Sequence, residues 1–278
     1  MRPAPFDYVR PKTISDAIVA LQRPDMSASV LAGGQSMLVL LSLRAASTDL
    51  LVDVGRIEEL KATSDGPSHT FLGAMTTHAM IEDRAVPDPS FGLMPRVASA
   101  IAYRAVRNHG TIGGSIALAD PAADWPACLI ALNATVVTQG PSGMRRWAMV
   151  DFVLGMYTTK LQLDEIIIGV EIPRLMHGAR WGVSKAARKS GAFASSLAFV
   201  IEQKDEAPAR VAVGATSSCA QLLPRVAAYL DQHDALVEPD LLDQIGLDID
   251  VADPDADAYQ RRCHIATVIR AIREARAQ

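Results

Sequence analysis

The chain has 278 residues, 49% of them hydrophobic and 21% charged, with a net charge of −4. That composition fits a globular protein with a full-sized core and excludes a disordered tail, a fibre, or a small fold that depends on a metal or disulfide staple. Only 5% of residues are aromatic and no Lys/Arg run exceeds two, so nucleic acid, which demands a concentrated basic face or base-stacking rings, is excluded as the main partner.

The N-terminal segment MRPAPFDYVRPK has no apolar signal-peptide core. The apolar run Met37 to Leu43 is far short of the roughly 20 residues that span a bilayer, and the chain reads as soluble and cytoplasmic. After Pro11-Lys12-Thr13, the residues Ile14, Ile18 and Leu21 share one helical face, with Thr13 or Ser15 as N-cap. Ser29 to Ala32 reads as a strand stopped by Gly33-Gly34, Met37 to Leu43 as a helix, and Leu50 to Val54 as a second buried strand closed by Gly55. Strands flanking a helix suggest a βαβ-like unit over residues 1–55.

From residue 56 a second unit follows. Thr70 to Ala74 reads as a strand, and Thr76 or Thr77 can cap a helix that carries Ile81. Met94 to Ile101 reads as a helix, and the glycine-rich stretch Asn108 to Ala119 as a loop. Pro121 to Leu132 has helical spacing, with Asp120-Pro121 as its cap and first residue. Ala134 to Thr138 and Ile166 to Ile172 read as strands, the second ending at Pro173. Pro173 to Gly182 is the expected boundary. Beyond it, Ser196 to Glu202 and Arg210 to Ala215 read as strands joined by the polar loop 204–208. Helices are expected at Leu222 to Leu230, more weakly near Leu241, and at Tyr259 to Ala277. The pattern is α+β, with a unit over 1–175 (parts of about 1–55 and 56–175) and a smaller α+β unit over 176–278.

The chemistry-bearing residues exclude more than they assign. Cys128, Cys219 and Cys263 are too few and too scattered for a disulfide framework or a four-thiolate iron–sulfur site, and read as buried inert thiols. The six histidines, 69, 78, 109, 177, 233 and 264, show no metal-ligand spacing. There is no nucleophile elbow, no G-x-G-x-x-G and no P-loop. Two segments remain: Ala32-Gly33-Gly34-Gln35-Ser36, and Thr111-Ile112-Gly113-Gly114-Ser115 with the tail Ala119-Asp120-Pro121-Ala122-Ala123-Asp124. Paired glycines let a backbone approach a ligand, and exposed amides at a helix start bind anions without a lysine or arginine. Each segment alone is more often a simple turn.

Taken together, in this order, the two segments resemble those of the FAD-binding middle subunits of the molybdenum hydroxylases, the xanthine dehydrogenase, carbon monoxide dehydrogenase and aromatic N-heterocycle hydroxylase family. The resemblance also takes in Phe6-x-Tyr8, the run Asp164 to Ile168 with Glu171-Ile172-Pro173, Lys185 to Gly191, and Tyr259-x-Arg261. It implies a two-part FAD-binding domain of the vanillyl-alcohol-oxidase (PCMH) type, followed by the α+β C-terminal domain of the carbon monoxide dehydrogenase flavoproteins. The cofactor contacts it implies are Leu31, Ala32, Gly33, Gly34, Gln35, Ser36, Met37, Thr111, Ile112, Gly113, Gly114, Ser115 and Asp124. It further implies Ile167 beside the ring systems, Lys185 close to the flavin, and Phe193 near the open face of the ring. Ser115 stands where many relatives have Asn, and Ala192 where many have an acidic residue. No catalytic residue and no metal ligand is implied on this chain. Molybdenum–pterin would sit on a large partner subunit and two [2Fe–2S] clusters on a small one, in a heterotrimer that is often doubled. Electrons would pass through FAD here to NAD, oxygen, a quinone or a carrier protein. A self-sufficient flavoenzyme of the same superfold would need its own basic substrate-binding residues and proton donor, and none are grouped in the sequence.

Overall fold

The structure is a computed structural model that describes residues 2–204 and 206–278. Asp205, in the expected polar loop, lies outside the described residues. The chain begins with β1 (Asp7–Val9), α1 (Ile14–Leu21), β2 (Ala28–Leu31), α2 (Met37–Leu43) and β3 (Leu50–Asp53). Thr13 caps α1, its hydroxyl accepting from the Asp16 amide at 3.1 Å. The strands pair in the order β1-β3-β2, all parallel, so α2 is the crossover of a βαβ unit. A 3-10 turn at Glu58–Lys61 leads out of it.

The second unit runs β4 (Thr63–Asp65), β5 (His69–Gly73), α3 (His78–Glu82), α4 (Leu93–Ser99), α5 (Arg104–Arg107), α6 (Ile112–Leu118) and α7 (Asp124–Ala131). It continues with β6 (Thr135–Gly140), β7 (Gly143–Ala148), α8 (Met149–Phe152), β8 (Val153–Gly155), β9 (Thr158–Thr159) and β10 (Ile166–Pro173). An antiparallel sheet orders five of these strands β4-β5-β10-β6-β7, and β8 pairs with β9 apart from it. The remainder is an antiparallel sheet of β11 (Arg180–Ala186), β12 (Ser196–Gln203), β13 (Ala207–Gly214) and β14 (Gln221–Leu222). Three helices follow: α9 (Pro224–Gln232), α10 (Glu238–Ala252) and α11 (Ala258–Arg276). Segregated sheets and helices after a small parallel unit give the mixed fold expected.

Alternation along β12 shows how the last sheet is held. Leu197, Phe199 and Ile201 enter the core around α7, whereas Ala198 and Val200 enter the one under α9, α10 and α11. Both faces are covered, which is why the segment reads as an unbroken apolar run. The largest core joins residues of 72–175 to residues of 194–220. A smaller one ties α1 and β3 to Val137, Ile166 and Ile168.

Several readings of the sequence are corrected. The stretch 112–118 is helix α6, not loop, and Gly113 and Gly114 occupy its first turn behind the cap Thr111. Asp120-Pro121 does not start α7, which begins at Asp124 with Ala123 as N-cap, while Asp120 accepts from the Ala122 amide at 2.9 Å in a local turn. The weak helix near Leu241 is 15 residues long. Strands β1, β4, β7, β8, β9, β11 and β14 escaped the periodicity because they are short or half-exposed.

Candidate cofactor site

The two glycine segments meet. A Cβ on Gly33 would lie 1.9 Å from the His109 carbonyl oxygen, and one on Gly113 would lie 2.5 Å from the Ala74 Cβ and 2.7 Å from its carbonyl oxygen. Both glycines therefore serve the contact of backbone with backbone. Gly34 is required for a different reason, its φ of +72°, which turns the chain from β2 towards α2.

The segments differ in what they leave free. In the second, Ile112 N donates to Thr76 O (3.0 Å), Gly113 N to Ala74 O (3.0 Å), Gly114 N to the Thr111 hydroxyl (3.1 Å) and Ser115 N to Thr111 O (3.1 Å). In the first, the amides of residues 33–37 have no acceptor among the described residues, and Ser36, the N-cap of α2, makes no side-chain cap bond. Five consecutive free amides at a helix start are a donor set suited to an oxygen anion. The second segment is its brace: Gly110 O accepts from His78 N (2.9 Å), and Thr77 and Thr111 form a β-bridge.

Asp124 and Lys185 are brought together from α7 and β11. Lys185 Nζ donates to both Asp124 carboxylate oxygens at 2.9 Å, and lies 3.4 Å from Ala100 O. Asp124 is buried, and burial raises its pKa against the opposing pull of Lys185. Lys185 is thus a paired cation. Phe193 is 65% exposed, so it is not a core aromatic, and Ile167 is buried in the main core. A cavity of about 420 Å³ lies between Asp120, Tyr157, Ala194, Ser195, Tyr259 and Cys263.

Sequence reasoning missed His78 and Trp125. Trp125 Nε1 donates to His78 Nδ1 at 3.0 Å, and the imidazole packs against Gly110. The donor requirement of the indole fixes the neutral tautomer, with the proton on Nε2. The residues stand 47 positions apart, and no spacing rule links them. Cys128 and Cys219 are buried, and burial pushes the Cys128 thiol up; Cys263 is only half-buried. Among the described residues no cluster of three or more His, Cys, Asp or Glu could hold a metal ion, and no helix is long and apolar enough to cross a membrane.

Free amides at a helix start, buttressed by a second glycine segment, are the arrangement by which a backbone can hold an anionic cofactor. The chain belongs to the family of the FAD binding domain in molybdopterin dehydrogenase, whose model matches residues 4–175. It is 35% identical over 204 residues to the carbon monoxide dehydrogenase medium chain of Hydrogenophaga pseudoflava, covering 73% of this chain and 71% of that one. The nicotine 6-hydroxylase medium subunit of Paenarthrobacter nicotinovorans is 34% identical over 220 residues, 78% of this chain and 77% of the relative. Among solved structures, carbon monoxide dehydrogenase from Hydrogenophaga pseudoflava superposes with a TM-score of 0.92 at 30% identity, covering 100% of this chain and 99% of that chain. Quinoline 2-oxidoreductase from Pseudomonas putida 86 does so at 0.87 and 30%, with the same coverage. The chain is a member of an oxidoreductase family and its cofactor is FAD.

Proposed function

We propose that this chain is the electron-output subunit of a molybdenum hydroxylase assembly, taking electrons from [2Fe–2S] clusters on a small partner and passing them through FAD to an external acceptor. The observation that carries the reading is the run of free amides at residues 33–37, in a chain of this family. These donors fit a pyrophosphate: they are unclaimed among the described residues, they lie at a helix start, and Gly33 leaves no room for a side chain against His109.

In this reading Leu31 to Met37 hold the pyrophosphate, and Thr111 to Ser115 form the opposite wall, where Ser115 offers a hydroxyl in place of an amide. Asp124, Lys185 and Ile167 face the ring systems. When bound, FAD supplies a ring that accepts and releases electrons. The Asp124–Lys185 pair keeps its two charges in one fixed place while the charge beside it changes. The exposed Phe193 sets which acceptor approaches. The acceptor is NAD, oxygen, a quinone or a carrier protein.

Residues 1–175 would form the PCMH-type domain, in two parts, and 176–278 the C-terminal domain. The end of the family match at residue 175 supports that division. The medium-chain and medium-subunit names of the relatives support a larger and a smaller partner; in this reading the larger carries molybdopterin, the smaller carries the iron–sulfur clusters, and the trimer is doubled. Purification from the native source tests the reading: the chain is expected to be yellow and to co-elute with molybdenum and iron. A colourless chain running alone would contradict it.

A further inference from the structure

One segment close to the expected flavin residues belongs to no motif. Between α4 and α5 the chain turns through Ala100, Ile101, Ala102 and Tyr103, and Ala102 adopts a φ of +44°. A non-glycine residue in the left-handed region holds strain that its surroundings must impose.

Here the surroundings are visible. Arg107 is 12% exposed, and each of its three guanidinium nitrogens is engaged. One edge binds Glu82 bidentately, Nε to Oε2 at 2.8 Å and Nη2 to Oε1 at 3.0 Å. Nη1 donates to Ile101 O at 2.9 Å and to Ala102 O at 3.0 Å. The planar fork of arginine, fixed by a carboxylate on one edge, sets two carbonyls in place with the other. The opposite side of the turn is closed by the segment after β11. Gly191, at φ +76°, lies so close that a Cβ would stand 2.5 Å from Ala102 O. Lys185 reaches Ala100 O with the same ammonium that binds Asp124. Glu82 ends α3, the helix whose cap Thr77 bridges Thr111. The turn is therefore connected by Lys185 to Asp124, by Arg107 and Glu82 to α3, whose cap bridges the second glycine segment, and by Gly191 to the loop that presents Phe193.

We propose that Arg107, oriented by Glu82, is a positioning residue that holds the strained 100–103 turn as a preset wall of the flavin-ring site. The inference rests on the FAD reading above and adds to it a residue and a segment that the glycine motifs do not contain. Arg107 touches no cofactor itself; it acts through the two carbonyls.

The test compares two arginines of the same short helix. Arg104 also pairs with Glu82, at 3.0 Å, and with Asp83, but it does not reach the turn. FAD dissociation constants and visible circular dichroism of the bound flavin are measured on the full chain, with the thermal midpoint of the FAD-free protein as the control for folding. Arg107→Lys is expected to weaken FAD by at least tenfold and to change the flavin dichroism, whereas Arg104→Gln leaves both within twofold of the wild type. Adding Ala102→Gly to Arg107→Lys removes the penalty on positive φ and is expected to recover part of the lost affinity. Equal losses in Arg107→Lys and Arg104→Gln would overturn the inference, since both would then report only the ion pairs of α5. So would an Arg107→Lys protein that binds FAD with unchanged affinity and dichroism. If Arg107→Lys fails to fold, Ala102→Gly alone decides: it is expected to alter the flavin dichroism, and an unaltered band overturns the wall. A wild-type chain that binds no FAD defeats the underlying cofactor reading instead, which separates the two failures.

Discussion

At neutral pH the His78 imidazole is uncharged, its pKa lowered to about 4 by burial first and by the Arg107 charge second. Protonating Nδ1 would also set two donors against each other at Trp125. The unfolded chain takes up the proton near the ordinary value of 6.5 while the folded chain does not, so stability is complete above that value and falls as the pH drops towards 4. Between pH 7.5 and 4.5 the wild type should lose about 2.5 kcal/mol more than His78→Gln, read from urea midpoints; parallel pH profiles would refute the assignment. The Asp124–Lys185 pair makes a second prediction. Asp124→Ala strands a mostly buried ammonium and should cost about 3–5 kcal/mol, whereas Asp124→Leu with Lys185→Met should recover most of it. A double variant no more stable than Asp124→Ala would show that the pair is not what holds α7 to β11. Asp124 and Lys185 stood out in the sequence only by resemblance. Their pairing, across 61 positions, was not legible, because a chain records no distance between a helix start and a strand of another sheet.

Elements were easier to read than contacts, where burial is one-sided and regular. Helices α1, α2 and α11 and strands β10 and β12 fall where the apolar pattern puts them. Helix α6 did not, because paired glycines disfavour a helix interior; Thr111 caps it, and the glycines are forced by Ala74 rather than by propensity. Helix α10 looked weak because its exposed face is acidic, although Pro239 beside its start is an N-terminal signal. The close approaches order the glycine substitutions. Gly33→Ala and Gly113→Ala place a Cβ within 1.9 Å and 2.5 Å of the neighbouring chain and should cost several kcal/mol, roughly the range of severe core disruption. Gly114→Ala meets chiefly the Thr111 hydroxyl at 2.9 Å and should cost less. Thermal melts of the three FAD-free variants check the ranking, and a Gly114→Ala protein less stable than Gly113→Ala would reverse it. Loss of FAD in a Gly113 variant would therefore say little about ligand contact, since the brace itself would have failed.

For the whole molecule, the sequence suggests a break near residue 175, yet the largest core runs across it. Arg210 of β13 caps the C-terminal end of α7 through Ala131 O (3.0 Å) and Ile130 O (2.7 Å), and Ala215 N donates to Pro121 O (2.8 Å). Calorimetry should accordingly show one cooperative transition for the full chain; two separated transitions would mean that the shared core contributes little. The proposed anion site is bare backbone, which is why a net charge of −4 and scattered lysines gave no hint of it. The most direct test of that site sets helix stability against cofactor binding in one substitution. Ser36→Asp places a negative charge among the free amides, where the dipole of α2 favours it by about 0.3–1 kcal/mol. Titration of the FAD-free chain, followed by flavin fluorescence, should give one FAD bound per wild-type chain. For Ser36→Asp it should give an affinity lower by at least about tenfold, with the thermal midpoint equal or higher. Unchanged FAD affinity in a folded Ser36→Asp protein would contradict the account.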